Sequence, residues 1–200
     1  MVANPVVVSA AVEGPTDEAV LRRLLNEVGA TPRPVYGKTG KPRLRERIEG
    51  YNRGARFSPW VVLVDLDQDA ECAPLLKQSW ISSPSAHMCF RIAVRAVEAW
   101  FFADDERLAR FLSVARSKIP SLPEQVEDPK RTMVELAGRS RKREIREDMV
   151  PRPGSRRKEG PAYASRLIEF AHSFWRPEVA ATKSDSLRRC VERLYEIGKR

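Results

Sequence analysis

Apolar runs alternate with amphipathic segments through the first 118 residues. The runs "PVVVSAAV" (5–12) and "WVVLVDL" (60–66) are typical of buried strands, and a third strand is predicted where "MCFRIAVRAVEAW" runs into a helix near Glu98. Helical spacing follows the first two runs, and residues 31–42 are interpreted as a loop or short strand. This alternation predicts an α/β fold with a mostly parallel sheet covered by helices on both faces.

The pattern changes near residue 119, where Pro, Lys and Arg become frequent and strand-like runs end. Helical patterns remain at roughly 130–148, 161–174 and 184–197. We therefore expect an α/β unit over residues 1–118 and a basic helical extension, residues 119–200, packed on it.

The composition favours a folded protein of the cytoplasm, with 42% hydrophobic and 32% charged residues. The three cysteines are far apart and form no Cys-x-x-Cys or Cys/His pattern, which argues against zinc and disulfides and favours a reducing compartment. No apolar stretch approaches the ~20 residues of a membrane helix, so no membrane partner is expected.

The positive charge is concentrated in one part of the chain. The net charge is +9, and residues 139–158 hold nine Lys or Arg residues against three acids. Such runs often bind phosphate backbones, although a solvated surface gives a similar pattern. The candidate nucleic-acid contacts are Arg95, Lys130, Arg143, Arg156, Arg157 and Lys158. Lys130 and Lys183 are the candidate transition-state lysines, and Arg95 is expected to meet either the acidic site or a substrate phosphate.

Carboxylates stand at the ends of the predicted strands. Glu13 ends the first, Asp65 and Asp67 end the second with Asp69 close behind, and Glu98 follows the third. Functional groups collect at this edge of open α/β sheets. Carboxylates so close together repel, and Mg²⁺ or Mn²⁺ would relieve that repulsion. Turn positions for Asp67 and Asp69 are the alternative interpretation.

Two motifs resemble a known fold. "VEGPTDEAVLRRLL" followed about fifty residues later by "VVLVDLDQD" looks like the Toprim fold of topoisomerases, bacterial primases, small ribonucleases and overcoming-lysogenization-defect (OLD) nucleases. The later "RIAVRAVEAWFFAD", "PK", "GPAYA" and "SLRRC" resemble a compact family of Toprim-like bacterial proteins, often encoded beside ATPases in defence loci.

The resemblance implies roles for the acids. Glu13 matches the Toprim glutamate, a metal ligand or general acid/base, and Asp65 and Asp67 match the metal-binding pair. Asp17 and Glu98 resemble the acids with which OLD-type enzymes hold a second metal. Asp69 stands where some Toprim enzymes have Glu, which leaves one-metal and two-metal chemistry both open.

These observations predict a Mg²⁺- or Mn²⁺-dependent nuclease acting on DNA or RNA, with a role in anti-phage defence beside an ATPase partner. The catalytic set is Glu13, Asp65, Asp67 and Glu98, and the metal ligands are Glu13, Asp17, Asp65, Asp67 and Asp69. The alternative is a non-catalytic nucleic-acid-binding or regulatory subunit of an ATPase complex. A topoisomerase-like transferase would need a nucleophilic Tyr, and no Tyr is singled out.

Overall fold

A computed structural model describes residues 6–198 of the 200-residue chain. Residues 1–5 and 199–200, at the outer ends of the two predicted units, lie outside the described residues. The strands are β1 (Val7–Val12), β2 (Thr31–Gly37), β3 (Trp60–Asp65) and β4 (Met88–Ala93). The helices are α1 (Pro15–Glu27), α2 (Lys41–Gly54), α3 (Ala73–Trp80), α4 (Val97–Ala103), α5 (Asp105–Leu112), α6 (Pro129–Gly138), α7 (Arg143–Met149), α8 (Tyr163–Ser173), α9 (Pro177–Ala180) and α10 (Asp185–Gly198).

The four strands form one sheet in the order β2-β1-β3-β4, and every neighbouring pair is parallel. This confirms the predicted α/β class. The segment interpreted as a loop or short strand is the edge strand β2. Its Pro32 and Pro34 lack N–H donors and are tolerated because an edge strand needs fewer of them.

Helices cover both faces of the sheet, because alternate strand residues point to opposite sides. Val8, Val61 and Leu63 face α1, α4 and the helices that follow, and this larger core contains the fully buried Trp100. Val62, Val64 and Phe90 face α2 and α3. Parallel strands buried on both faces account for the continuous apolar runs.

The helices that follow residue 119 pack on the larger face. Helix α8 contacts α1, and α10 contacts β4. Leu167, Phe170 and Leu194 are fully buried in the same core as the sheet residues. In the described part of the chain, no helix has both the length and the apolar character that a bilayer crossing requires.

Candidate functional site

The carboxyl ends of three parallel strands bring the predicted acids to one edge of the sheet. Glu13 follows β1, Asp65 is the last residue of β3, and Glu98 lies in the first turn of α4 just after β4. Glu13 and Asp65 are in direct contact, since Glu13 Oε1 accepts the Asp65 N–H at 2.7 Å. We name the following acids the carboxylate cluster: Glu13, Asp17, Asp65, Asp67, Asp69 and Glu98.

The buried half of the carboxylate cluster surrounds Asp65, which is 2% exposed. Asp65 Oδ1 accepts the Val97 N–H at 3.0 Å, and Oδ2 lies 3.3 Å from Lys130 Nζ. Asp17 uses Oδ2 to accept the Gly14 N–H at the start of α1, at 2.9 Å. Its Oδ1 is buried without a hydrogen-bond partner among the described residues. Asp17 therefore caps the start of α1 with one carboxylate oxygen, while the other oxygen has no partner among the described residues.

Glu98 has a similar arrangement on the other side of Asp65. Its Oε1 accepts the Tyr163 hydroxyl at 3.2 Å, while Oε2 is buried with no partner in residues 6–198. Glu98 is 2% exposed. A buried carboxylate oxygen without a partner is costly, and the site accumulates two of them, on Asp17 and Glu98.

The more exposed half of the cluster is gathered by Lys41. Its ammonium lies 2.5 Å from Asp67 Oδ2, 2.8 Å from Asp69 Oδ2 and 3.8 Å from Glu13 Oε1. Asp65 and Asp67 would point to the same side if the strand continued, but β3 ends at Asp65. The two carboxylates consequently contact different lysines.

Burial dominates the electrostatics of the cluster. Burial and the neighbouring Asp65 carboxylate raise the pKa of Glu13 to about 7, and the same two causes raise the pKa of Glu98 to about 7. The pKa of Asp17 is raised by burial first, then by Asp65 and Glu13. Burial also raises the pKa of Asp65, although Lys130 opposes this. The cluster thus holds protons near neutral pH as well as lysine ammonium groups.

For Lys41 and Lys130, a raised pKa favours the charged form, whereas for the carboxylates it favours the neutral form. Although burial opposes it, hydrogen bonds to Asp67 and Asp69 raise the pKa of Lys41. The carboxylates of Asp65 and Glu98 likewise raise the pKa of Lys130, against the effect of burial. Both side chains are therefore charged at neutral pH and offset part of the negative charge of the cluster.

Two left-handed residues face each other beside the cluster. Asp67 has φ of 48° and Arg95 has φ of 62°, a conformation that side-chain-bearing residues rarely adopt. The Asp67 N–H donates to the Arg95 carbonyl at 2.7 Å, and the Arg95 guanidinium donates to the Asp67 carbonyl at 3.2 Å. Arg95 thus meets the acidic site, the first of its two expected positions. Non-glycine residues in this conformation concentrate at functional sites.

Lys41 is a site residue that the sequence reasoning missed. It is carried there by the "YGKTG" loop between β2 and α2. Gly37 has φ of 85°, and a Cβ at this position would lie 2.2 Å from the Val12 carbonyl oxygen. Gly40 donates its N–H to the Glu13 carbonyl at 3.0 Å. The loop therefore crosses the end of β1 closely and places the first residue of α2 over the acids. Lys41 lies four residues beyond the last residue of β2, so its place at the site follows from this close crossing and not from a strand end.

Tyr163 was also missed as a partner of Glu98. It begins α8 and is 6% exposed. Tyr163 follows the basic run in the chain, because the segment between α7 and α8 contains several of the predicted cations. We name residues 150–159 the basic loop.

Backbone hydrogen bonds close the basic loop at its base. The Gly160 N–H donates to the Met149 carbonyl at 3.0 Å, and the Ala162 N–H donates to the Asp148 carbonyl at 2.9 Å. A Cβ on Gly160 would lie 2.4 Å from the Asp148 oxygen, so only glycine fits there. The loop therefore leaves the core at a fixed point beside Tyr163.

The predicted nucleic-acid residues fall into two groups. Arg95 and Lys130 lie at the carboxylate cluster, as above. The others lie on the surface of the extension. Arg143 is exposed and is paired with Glu147 at 2.7 Å. In residues 6–198, four exposed cations of the basic loop form no side-chain hydrogen bond or ion pair: Arg152, Arg156, Arg157 and Lys158.

The donor chemistry of the cluster suits a hard divalent cation. Every available donor is a carboxylate oxygen, and two of these oxygens are buried without partners among the described residues. In the described part of the chain, however, no three His, Cys, Asp or Glu side chains are placed so that they could hold an ion together. The Lys41 ammonium lies against Asp67 and Asp69. The Lys130 ammonium lies against Asp65, so a cation that binds these carboxylates must displace both lysine side chains.

Comparison with known proteins does not assign the chain to a group: no protein-family model, no curated protein and no solved structure matches it.

Proposed function

We propose that this protein is a Mg²⁺- or Mn²⁺-dependent nuclease that hydrolyses phosphodiester bonds in DNA or RNA. The observation that carries the proposal is the buried convergence of carboxylates around Asp65 at the ends of parallel strands. Asp17, Asp65 and Glu98 are each less than a tenth exposed. Burying such a group carries a large desolvation penalty. The two oxygens without partners among the described residues gain no hydrogen bond that would offset it, which is typical of functional sites.

The residues that would hold the cation are Asp65, Asp67 and Glu13, with Asp17, Asp69 and Glu98 completing the set. A divalent cation bound there would activate water and stabilise the leaving oxygen. The positions of Glu13 after β1 and of Asp65 and Asp67 at the end of β3, the neighbouring strand of the sheet, support the Toprim resemblance. The association with an ATPase in anti-phage defence rests on that resemblance alone.

The side chains of the chain itself supply proton transfer and charge. Glu13 has a pKa of about 7, which is the range in which a carboxyl group can both accept and donate a proton near neutral pH. Lys130 lies 3.3 Å from Asp65, and a cation bound by Asp65 would release the Lys130 ammonium to contact the negatively charged phosphoryl group. Glu13 is thus the proposed general acid/base and Lys130 the proposed electrostatic stabiliser.

Substrate binding is assigned to the basic loop. Its four unpaired cations are exposed, and the loop is anchored beside Tyr163, whose hydroxyl contacts Glu98. In this proposal, a phosphate backbone held on the loop passes from the base of the loop beside Tyr163 to the carboxylate cluster. Lysine and arginine side chains without carboxylate partners are free to replace counterions along the backbone.

A non-catalytic nucleic-acid-binding or regulatory subunit is the second candidate, and one observation favours it. Lys41 and Lys130 already neutralise Asp65, Asp67 and Asp69, as they would in a purely structural ion-pair network. Cleavage by the purified chain separates the two functions.

The test is a cleavage screen with plasmid, single-stranded DNA and tRNA in Mg²⁺, Mn²⁺ or EDTA. The nuclease proposal expects cation-dependent cleavage that the Asp65→Asn/Asp67→Asn protein lacks. The matched control, Glu46→Gln/Glu192→Gln, removes two exposed carboxylates that form surface ion pairs and should cleave normally. Cleavage that survives Asp65→Asn/Asp67→Asn, or no cleavage of any substrate, would contradict the proposal.

A further inference from the structure

A cavity of about 660 Å³ lies at the open edge of β4, beside the carboxylate cluster. We name it the edge cleft. It lies between β4, α3 and the first turn of α10. Its volume falls within the range of small-molecule and cofactor sites.

The apolar wall of the edge cleft is formed by the outer strand. Phe90 and Ile92 come from β4, and Leu66 follows β3. Trp80 stacks on Phe90, with ring centroids 5.5 Å apart, which holds that ring in place. Phe90 and Ile92 form the floor of the cleft, and only a small part of each is accessible, since Phe90 is 3% and Ile92 is 7% exposed.

Three cations of the edge cleft have no carboxylate partner. Lys77, Arg91 and Arg95 form no ion pair within residues 6–198. Arg91 Nε is buried and has no hydrogen-bond partner among the described residues. Because Nε is buried, an anion in the cleft would contact the other N–H groups of this partly exposed side chain, which lines the cleft.

The acids of the edge cleft are already held by other groups or lie at its rim. Asp185 pairs with Arg189 at 2.7 Å. Glu124 Oε1 accepts the Ser184 hydroxyl at 2.6 Å and the Ser186 N–H at 2.8 Å. Glu71 is exposed. These acids leave the three unpaired cations available to an anion and provide polar acceptors on the opposite wall.

The edge cleft and the carboxylate cluster share a boundary. Leu66 lies in the chain between Asp65 and Asp67, and the guanidinium of Arg95 donates to the Asp67 carbonyl at 3.2 Å. A phosphate bound by Arg95 would therefore lie next to the Asp67 loop.

We propose that the edge cleft binds a nucleoside phosphate, with the base on the Phe90 and Ile92 wall and the phosphate on Arg91, Arg95 and Lys77. A nucleoside phosphate has a flat ring for the apolar wall and an anionic group for the three cations. Its amino groups can donate to the polar acceptors on the opposite wall. If the protein is a nuclease, as proposed above, the bound unit is the nucleotide next to the phosphodiester that is cleaved. A free nucleotide has the same chemistry and is the second possible source.

The test is direct binding of nucleoside 5′-monophosphates by calorimetry in EDTA, where no cleavage occurs. Wild-type protein should bind one equivalent, and inorganic phosphate or the bare nucleoside should bind more weakly. Arg91→Gln should weaken binding at least about tenfold, as loss of a charge-assisted hydrogen bond predicts. Lys77→Gln, at an exposed position, gives the same test without risk to the core.

Two further variants complete the test. Ala73→Leu fills the cleft without changing charge and should also weaken binding. Arg43→Gln removes an equal charge from an exposed residue whose one side-chain partner among the described residues is Glu46, and should have no effect. No saturable binding, or equal loss in Arg43→Gln and Lys77→Gln, would overturn the proposal.

Competition identifies the source of the ligand. If a short single-stranded oligonucleotide displaces the monophosphate, the site takes a unit of a nucleic-acid strand. If it does not, the site takes a free nucleotide and the link to the cleavage site is overturned. A negative binding result leaves metal-dependent cleavage untouched. Failure of the cleavage screen, in turn, leaves this binding measurement unchanged.

Discussion

The carboxylate cluster and the basic loop carry opposite charge and are built in opposite ways. In the cluster, Asp65 is 2% exposed and its charge is offset by Lys130 at 3.3 Å. In the basic loop, Arg156, Arg157 and Lys158 are exposed and unpaired among the described residues. Burying the acids therefore lowers the free energy of unfolding, whereas the exposed cations change it little. The cations are held in place only through the base of their loop. In the proposed function, chemistry is assigned to the first region and substrate binding to the second.

The sharpest way to break this division is Glu13→Gln. Gln keeps an acceptor for the Asp65 N–H, which Glu13 Oε1 accepts at 2.7 Å, so the local fold should persist. Cleavage should fall by a factor of about 10²–10⁴, the usual cost of losing a general acid/base. Nucleic-acid affinity should stay the same or rise slightly, because one negative charge is removed. Parallel cleavage and binding assays on one substrate check this.

Equal cleavage by wild type and Glu13→Gln would remove the assignment of Glu13. A parallel loss of binding would contradict the division of labour, since binding would then depend on the carboxylate cluster. Glu46→Gln is the matched control, because it removes an exposed carboxylate on α2 whose ion-pair partner is Arg43.

The sequence predicted some residues of the carboxylate cluster and missed others. The parallel sheet and the positions of Glu13, Asp65 and Glu98 followed from apolar runs that end in acids, because strand ends are a local feature of the chain. Lys41 could not be found in this way. Its position depends on the close passage of Gly37 over Val12, a contact between distant parts of the chain.

The edge strand β2 and the Tyr163 contact show the same limit. Pro32 and Pro34 weaken the strand pattern, and only the pairing with β1 makes residues 31–37 a strand. Tyr163 reaches Glu98 across 65 positions of sequence. The sequence therefore predicts which residues end each element better than it predicts which elements meet.

The second prediction concerns divalent cations. Millimolar Mn²⁺ or Mg²⁺ should stabilise the wild-type fold by RT ln(1 + [L]/Kd), which is about 2.7 kcal/mol at a hundredfold excess over Kd. The reason is that a cation relieves repulsion among the acids around Asp65. Thermal melts with and without cation measure the shift. An equal shift in Asp65→Asn/Asp67→Asn would locate the effect elsewhere on the surface.

The third prediction concerns the basic loop. The logarithm of the binding constant for duplex DNA should fall linearly with the logarithm of salt, by about 0.9 for each phosphate contacted. Replacing Arg156, Arg157 and Lys158 by Ala should flatten that slope and leave thermal stability within about 0.5 kcal/mol, because the residues are exposed.

A triple variant on α2 provides the control for the loop. Arg43, Arg47 and Arg53 are exposed, and their replacement by Ala removes the same charge from a different surface. Equal flattening by both variants would show that the effect is one of net charge, and an unchanged slope in the loop variant would assign binding to another surface.

The fourth prediction is a dependence of stability on pH. Glu13 and Glu98 have pKa values raised to about 7, against an ordinary value of 4.5. Their protonated forms are favoured by the fold, so this stabilisation is complete below the ordinary pKa and is lost as pH rises through about 7. Without cations, wild type should lose more stability than Glu13→Gln between about pH 4.5 and about pH 7. Denaturant titrations measure this, and parallel pH profiles would contradict it.

The smallest predicted effect is that of Tyr163→Phe, which tests how the two regions are joined. The Tyr163 hydroxyl donates to Glu98 Oε1 at 3.2 Å, and this bond lowers the pKa of Glu98 against the effect of burial. Its loss should cost about 1 kcal/mol of stability and shift the pH dependence of cleavage to higher pH. Tyr195→Phe, at a position that is 43% exposed, is the control and should change neither property. A stability loss without a shift in the pH profile would mean that Tyr163 only packs at the start of α8. Its hydrogen bond would then have no effect on the titration of Glu98.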